Sequence, residues 1–138
     1  MKRIQLTFAL LLLFVVSTAF TTQDDALKAS MERGKGEYQG ICLACHMESG
    51  QGIAGVFPPL AKSDYLMEDT DRAIKSLIDG LQGEIVVNGT KYNQVMPASG
   101  LDDQAIADVL NYVMNSWGNE AEKMVTKKKV AEVRASLK

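Results

Sequence analysis

Both cysteines and the only histidine of this 138-residue chain fall within five consecutive residues, Cys42-Leu43-Ala44-Cys45-His46. Nothing else in the sequence restricts the fold as strongly. In a helical turn, side chains at i and i+3 share a face, so Cys42 and Cys45 can both reach one edge of a planar ligand. His46 follows directly and can aim its imidazole over the centre of that plane. This geometry suits a haem held through two thioethers, with a nitrogen ligand for its iron, and the C-x-x-C-H spacing is that of c-type haem attachment. Three other readings compete. A redox-active Cys-x-x-Cys pair would want a βαβ context, and none is visible. Zinc would need a fourth strong ligand from Asp or Glu. A structural disulfide with an incidental histidine leaves the clustering without a cause.

The same scarcity excludes whole classes of chemistry. One histidine rules out a site built from two imidazoles, and two cysteines rule out a disulfide-dense scaffold or a four-thiolate zinc site. A net charge of −2 and a sequence pI near 5.4 disfavour a nucleic-acid binder. The length suits one domain with a modest core.

The chain opens like an export signal. Lys2 and Arg3 precede an apolar run from Phe8 to Val16, and Ser17-Thr18-Ala19 supplies small residues for cleavage. Residues 1–19 are therefore expected to be a signal peptide, leaving a mature chain of 119 residues with net charge −4 in the periplasm or an equivalent exported compartment. The alternative is an uncleaved membrane anchor, since the two differ mainly in apolar length.

Residues 20–29 are polar and small and are expected to be a flexible lead-in. A helix follows from Ser30 to about Ala44, weakened by Gly34, Gly36 and Gly40. Glycines and prolines from Ser49 to Ser63 predict irregular chain. Ile74, Leu77, Ile78 and Leu81 recur at helical spacing behind Asp69 or Thr70 as N-cap, with a stop near Gly80 or Gly83. Ile85-Val86-Val87 and Thr90-Lys91-Tyr92 flank Asn88-Gly89, a strong hairpin signal. A second amphipathic helix is expected from Asp103 to Trp117, with Asp102 as N-cap and Gly118 as stop. Thr126 to Lys138 reads as a small, weakly packed terminal helix.

No second histidine exists, so the other axial position of a haem iron falls to methionine or stays open. Met47 adjoins His46, Met114 sits near a helical apolar stripe, and Met31 and Met124 lie near the ends of the mature chain. That leaves Met67 and Met96. Met96 is favoured, because it sits in a non-helical stretch that Pro97 holds rigid.

These residues resemble those of a class I c-type cytochrome, most closely the monohaem domains that occur as carriers, in cbb3-type oxidase subunits and in copper nitrite reductase fusions. The resemblance runs from about Ser30 to Asn119, with a C-terminal helical extension at 120–138 beyond it. Gly34 and Tyr38 match the glycine and aromatic ahead of the haem motif, and Val109 and Tyr112 match the partner-helix positions that the glycine meets. Pro58 matches the proline whose carbonyl accepts the histidine Nδ1 proton, with Pro59 as the neighbouring alternative. Met96-Pro97 matches the ligand pair. The hairpin is absent from the simplest members, and Met47 replaces the usual glycine after the histidine. The resemblance implies an all-α, cytochrome c-like fold around one covalent haem c and its iron, with one small β-hairpin insertion.

The expected function is electron transfer through a His46/Met96 haem, not catalysis. The partners implied are redox proteins, a terminal oxidase or nitrite reductase among them, with no nucleic acid, no small-molecule substrate and a monomer in solution. Two alternatives stand beside the free carrier: a fixed redox subunit held by an uncleaved anchor, and an open-site haem enzyme or sensor. Residues 20–118 carry net charge −7 and residues 119–138 carry +3, which favours partners with a positive rim.

Overall fold

The computed structural model describes residues 23–137. The expected signal peptide at 1–19 lies outside the described residues. Helix α1 spans residues 23–37 and runs through a π-helical turn, Tyr38–Cys42, into α2, Leu43–His46. After an irregular loop come α3 (Asp64–Glu68), α4 (Thr70–Asp79), the strands β1 (Ile85–Val87) and β2 (Thr90–Tyr92), α5 (Asp103–Val113) and α6 (Lys127–Ser136). Among the described residues, no helix is long and apolar enough to cross a membrane.

The strands pair antiparallel, Ile85 with Tyr92 and Val87 with Thr90, around Asn88-Gly89. Both turn residues have positive φ, 49° and 77°, as a tight two-residue hairpin requires. Asp69 caps α4 by accepting the Arg72 amide, and Asp102 caps α5 by accepting the amides of Gln104 and Ala105.

Three expectations need correction. Residues 23–29 are helical, not a flexible lead-in. Ala26, Leu27, Lys28 and Ala29 are helix-compatible, and Ser30 ties the segment to α5 by donating to Asp108 at 2.6 Å. Helix α5 stops at Val113, well short of Trp117, which has a left-handed φ of 55°. The Asn115 amide and Ser116 hydroxyl donate back to the carbonyls of Asn111 and Tyr112, an alternative to further helical bonding. Helix α6 is not weakly packed. Val130 is fully buried and Val133 nearly so, against α4 and α5. Asn111 secures the approach to α6, because its side chain accepts the Val125 amide and donates to the Val125 carbonyl at 2.7 and 2.8 Å.

Helices α1 and α5 cross at Gly34. A Cβ there would lie 1.9 Å from the Asp108 carbonyl oxygen and 2.8 Å from the Val109 amide nitrogen. The contact on the partner helix is therefore Asp108–Val109, one turn before Tyr112. Tyr112 instead packs against Tyr38 and Trp117, with ring centroids 5.6 and 5.4 Å away.

Beside this crossing, the Asp108 carboxylate is only 3% exposed. Burial alone would raise its pKa, but hydrogen bonds from Arg33, Ser30 and Gln104 and the Arg33 charge outweigh it and hold the group below its usual value. A carboxylate with a depressed folded-state pKa contributes stability above its unfolded value, near 3.9, and loses it as pH falls through the folded value. Asp108→Asn is expected to cost about 1–3 kcal/mol at pH 7. The gap to wild type should narrow below about pH 4, in urea unfolding curves followed across pH.

Candidate functional site

The π-helical turn and α2 carry the pentapeptide to the wall of a cavity of about 380 Å3. Cys42 closes the π turn, Cys45 and His46 lie in α2, and all three line the cavity. Single π turns inside helices are often found at functional sites. Tyr38, 1% exposed, stabilises the segment by donating its hydroxyl to the Met47 carbonyl at 2.5 Å.

The other walls come from distant parts of the chain: Pro58 to Leu60, α3 and α4, Leu81 and β1, Met96 to Ser99, and the buried stripe of α5. The lining is mostly apolar, and the cavity volume falls within the range of cofactor sites.

His46 Nδ1 lies 3.0 Å from the Pro58 carbonyl oxygen. A carbonyl can only accept, so Nδ1 carries the proton and Nε2 holds the free lone pair. Burial lowers the His46 pKa, partly offset by the Pro58 bond, so the ring is neutral near pH 7. Of the two adjacent prolines, Pro58 makes this contact. Gly52 lets it happen, because a Cβ there would sit 2.3 Å from the Phe57 carbonyl and 2.7 Å from that of Pro58. The Gly52 amide also donates to the His46 carbonyl at 3.0 Å, closing the loop onto the helix that bears the ring.

Both thiols are free and half-buried. Burial pushes the Cys42 thiol up to about 11, with smaller contributions from Cys45 and Glu37. Redox-active cysteines need the opposite, a lowered pKa, so this environment opposes the disulfide-exchange reading.

Of the two methionines left open by the sequence, Met96 lines the cavity, whereas Met67 packs half-buried against the core. Met96 exchanges two backbone hydrogen bonds with Leu81, at 2.8 and 3.0 Å. Gly80 permits this approach, since a Cβ there would lie 2.5 Å from the Met96 carbonyl oxygen.

The cavity thus gathers Cys42, Cys45, His46, Pro58 and Met96. Two thiols, one imidazole nitrogen, one thioether and apolar walls form a donor set that fits a haem c. Sequence reasoning missed several supports. Ser63 caps the unexpected helix α3 by accepting the Leu66 amide, and the close backbone approaches at Gly52 and Gly80 leave no local signal, although Gly80 does end α4 as expected. Asn119 joins the Leu60 and Val113 carbonyls through its amide, at 2.8 Å each, across 59 and 6 residues of sequence.

Comparison with known proteins agrees with this geometry. Residues 31–117 match the cytochrome c family. A cytochrome c-552 of Thermus thermophilus is 42% identical over 103 residues, covering 68% of this chain and 79% of the relative. The gluconate 2-dehydrogenase cytochrome c subunit of Pantoea cypripedii is 34% identical over 128 residues, covering 85% of this chain but 28% of that subunit. The cytochrome c subunit of a quinone alcohol dehydrogenase from Gluconacetobacter polyoxogenes is 32% identical over 105 residues, covering 73% and 22%. With a matching family pattern over most of the folded chain and a cavity whose donors suit covalent haem, this chain belongs to the cytochrome c family and is an electron-transfer haem protein, not an enzyme.

Proposed function

We propose that this protein is an exported electron carrier with one haem c, bound through Cys42 and Cys45 and ligated by His46 Nε2 and Met96 Sδ. The observation that carries the reading is the His46–Pro58 hydrogen bond, which leaves a single imidazole lone pair for the cavity that Met96 also lines. Haem supplies, when bound, an iron that gains and loses one electron. The chain does the rest. Pro58 holds the ring orientation and the Nδ1 proton, which tunes the ligand. The aliphatic walls exclude water, and a thioether ligand favours the reduced state, so the potential is relatively high. With His46 and Met96 both holding the iron, no position on it would be left for a substrate.

The free-carrier reading is supported by cytochrome c-552, of which the chain spans 79%. The fixed-subunit reading draws support from the dehydrogenase cytochrome subunits, though the chain spans 28% or less of those described above. The partner is a redox protein, a terminal oxidase or nitrite reductase among the candidates. The acidic body, −7 over residues 20–118, favours one with a positive rim and an association rate that falls with salt.

Export alongside a cytochrome maturation system tests this reading. The pyridine haemochrome spectrum should report one covalent haem per chain, and the mass should correspond to a chain beginning at Phe20. Absence of covalent haem would overturn the function, and a mass retaining Met1 would select the anchored subunit.

A further inference from the structure

We infer that Asp64 and Asn88 form a clasp that holds the Met96 loop in its ligating position. The inference rests on Met96 being a ligand, as proposed above. The loop from Gly80 to Ser99 is pinned first at its neck. Leu81 and Met96 exchange two backbone hydrogen bonds there, and Ser99 donates from its amide and hydroxyl to the Leu77 carbonyl at 2.9 and 2.7 Å. A neck alone acts as a hinge, because the hairpin projecting from it can swing as a unit. Asn93, Gln94 and Val95, which join β2 to Met96, are exposed and outside regular structure, so they give little resistance.

The second anchor is at the hairpin's far end. The Asn88 side-chain oxygen accepts the Asp64 amide at 3.0 Å, while the Asp64 carboxylate accepts the Asn88 amide at 2.7 Å. This reciprocal pair joins residues 24 apart in sequence. The carboxylate also accepts the Tyr65 amide at 2.6 Å, which fixes its orientation on α3. The clasp joins two walls of one cavity, since Tyr65 and Leu66 line it from α3, and Ile85 and Val87 line it from β1. Fixed at neck and tip, the hairpin cannot swing against the Leu81–Met96 pair and prise it apart. Asp64 and Asn88 touch neither the cavity nor any reacting atom, so they are positioning residues.

Imidazole binding to the ferric holoprotein tests the clasp, because free imidazole must displace the methionine sulfur. Asn88→Gly removes the side-chain acceptor and keeps a turn residue suited to a φ of 49°. Asp64→Ala removes the carboxylate. Each variant removes one of the two reciprocal bonds, and both are expected to bind imidazole about threefold to tenfold more tightly than wild type, the scale of losing one hydrogen bond. Asp64→Asn keeps an oxygen acceptor and should stay within about twofold. All three should retain the weak far-red band of methionine bound to ferric iron. Unchanged imidazole affinity in Asn88→Gly and Asp64→Ala, even with a lowered melting temperature, would overturn the clasp. A wild-type protein lacking the far-red band would instead overturn the Met96 ligand assignment, so the two failures are distinguishable.

Discussion

Gly34→Ala is expected to be among the most destabilising single-methyl additions to this chain. Its Cβ would lie 1.9 Å from one backbone atom of α5 and 2.3 and 2.8 Å from two others, and backbone cannot rotate out of the way as a side chain can. The helices must separate, which loosens Val109 and Leu110 beneath them and strains the Asp108 network alongside. Alanine in place of glycine within a helix is ordinarily favourable by up to about 1 kcal/mol. Overpacking a tight contact costs about 1–3 kcal/mol and sometimes more, and with only backbone to yield the upper end applies. The steric effect therefore wins, for a net loss of roughly 2 kcal/mol or more. Gly36→Ala is the matched control, because nothing lies within 4 Å of a Cβ built there. It should be neutral or stabilising by up to about 1 kcal/mol. Urea midpoints of the two variants, compared with wild type at unchanged m-value, check the prediction.

Met96→Ala should have the largest functional effect. On the proposed ligation, losing the thioether would remove one of the two residues that hold the iron and leave Cys42, Cys45 and the His46–Pro58 bond in place. The ferric protein should become high-spin and lose its far-red band, and the reduced protein should bind carbon monoxide rapidly. The reduction potential should fall on the order of 0.2 V, a modest part of the ~0.8 V range that axial ligands command. Met67→Ala is the control, since that side chain packs against the core and does not line the cavity. It should retain the band and lose only stability, about 2–5 kcal/mol if fully buried and less for a half-buried residue. A retained band in Met96→Ala, lost in Met67→Ala, would reverse the assignment.

How legible each part was depended on how local its physics is. The hairpin, with Asn88-Gly89 between Ile85-Val86-Val87 and Thr90-Lys91-Tyr92, appears where its turn chemistry put it. So do the starts of α4 and α5, because Asp69 and Asp102 cap them through bonds spanning two or three residues. The end of α5 departs from the periodicity. The apolar spacing reaches Trp117, but Asn115 and Ser116 compete for the last carbonyls, and periodicity does not register that competition. The α6 segment reads as weakly packed because its spaced apolar residues are only Val130, Val133 and, just past the helix, Leu137. Its docking depends on Asn111, which holds Val125 from 14 residues away.

The chemistry is carried by residue types and their spacing. Cysteines, histidine and methionine are the groups that bind iron and haem, and Cys42, Cys45 and His46 are adjacent enough for helix geometry to bring them together. What surrounds them depends on contacts made in the folded chain. Pro58 rather than Pro59 faces His46, Asp108 joins Val109 against Gly34 in place of Tyr112, and Met96 lines the cavity while Met67 does not. Each of these is a contact between segments that are distant in sequence. Such a contact turns on whether one more methylene or carbonyl fits, which neither composition nor periodicity records.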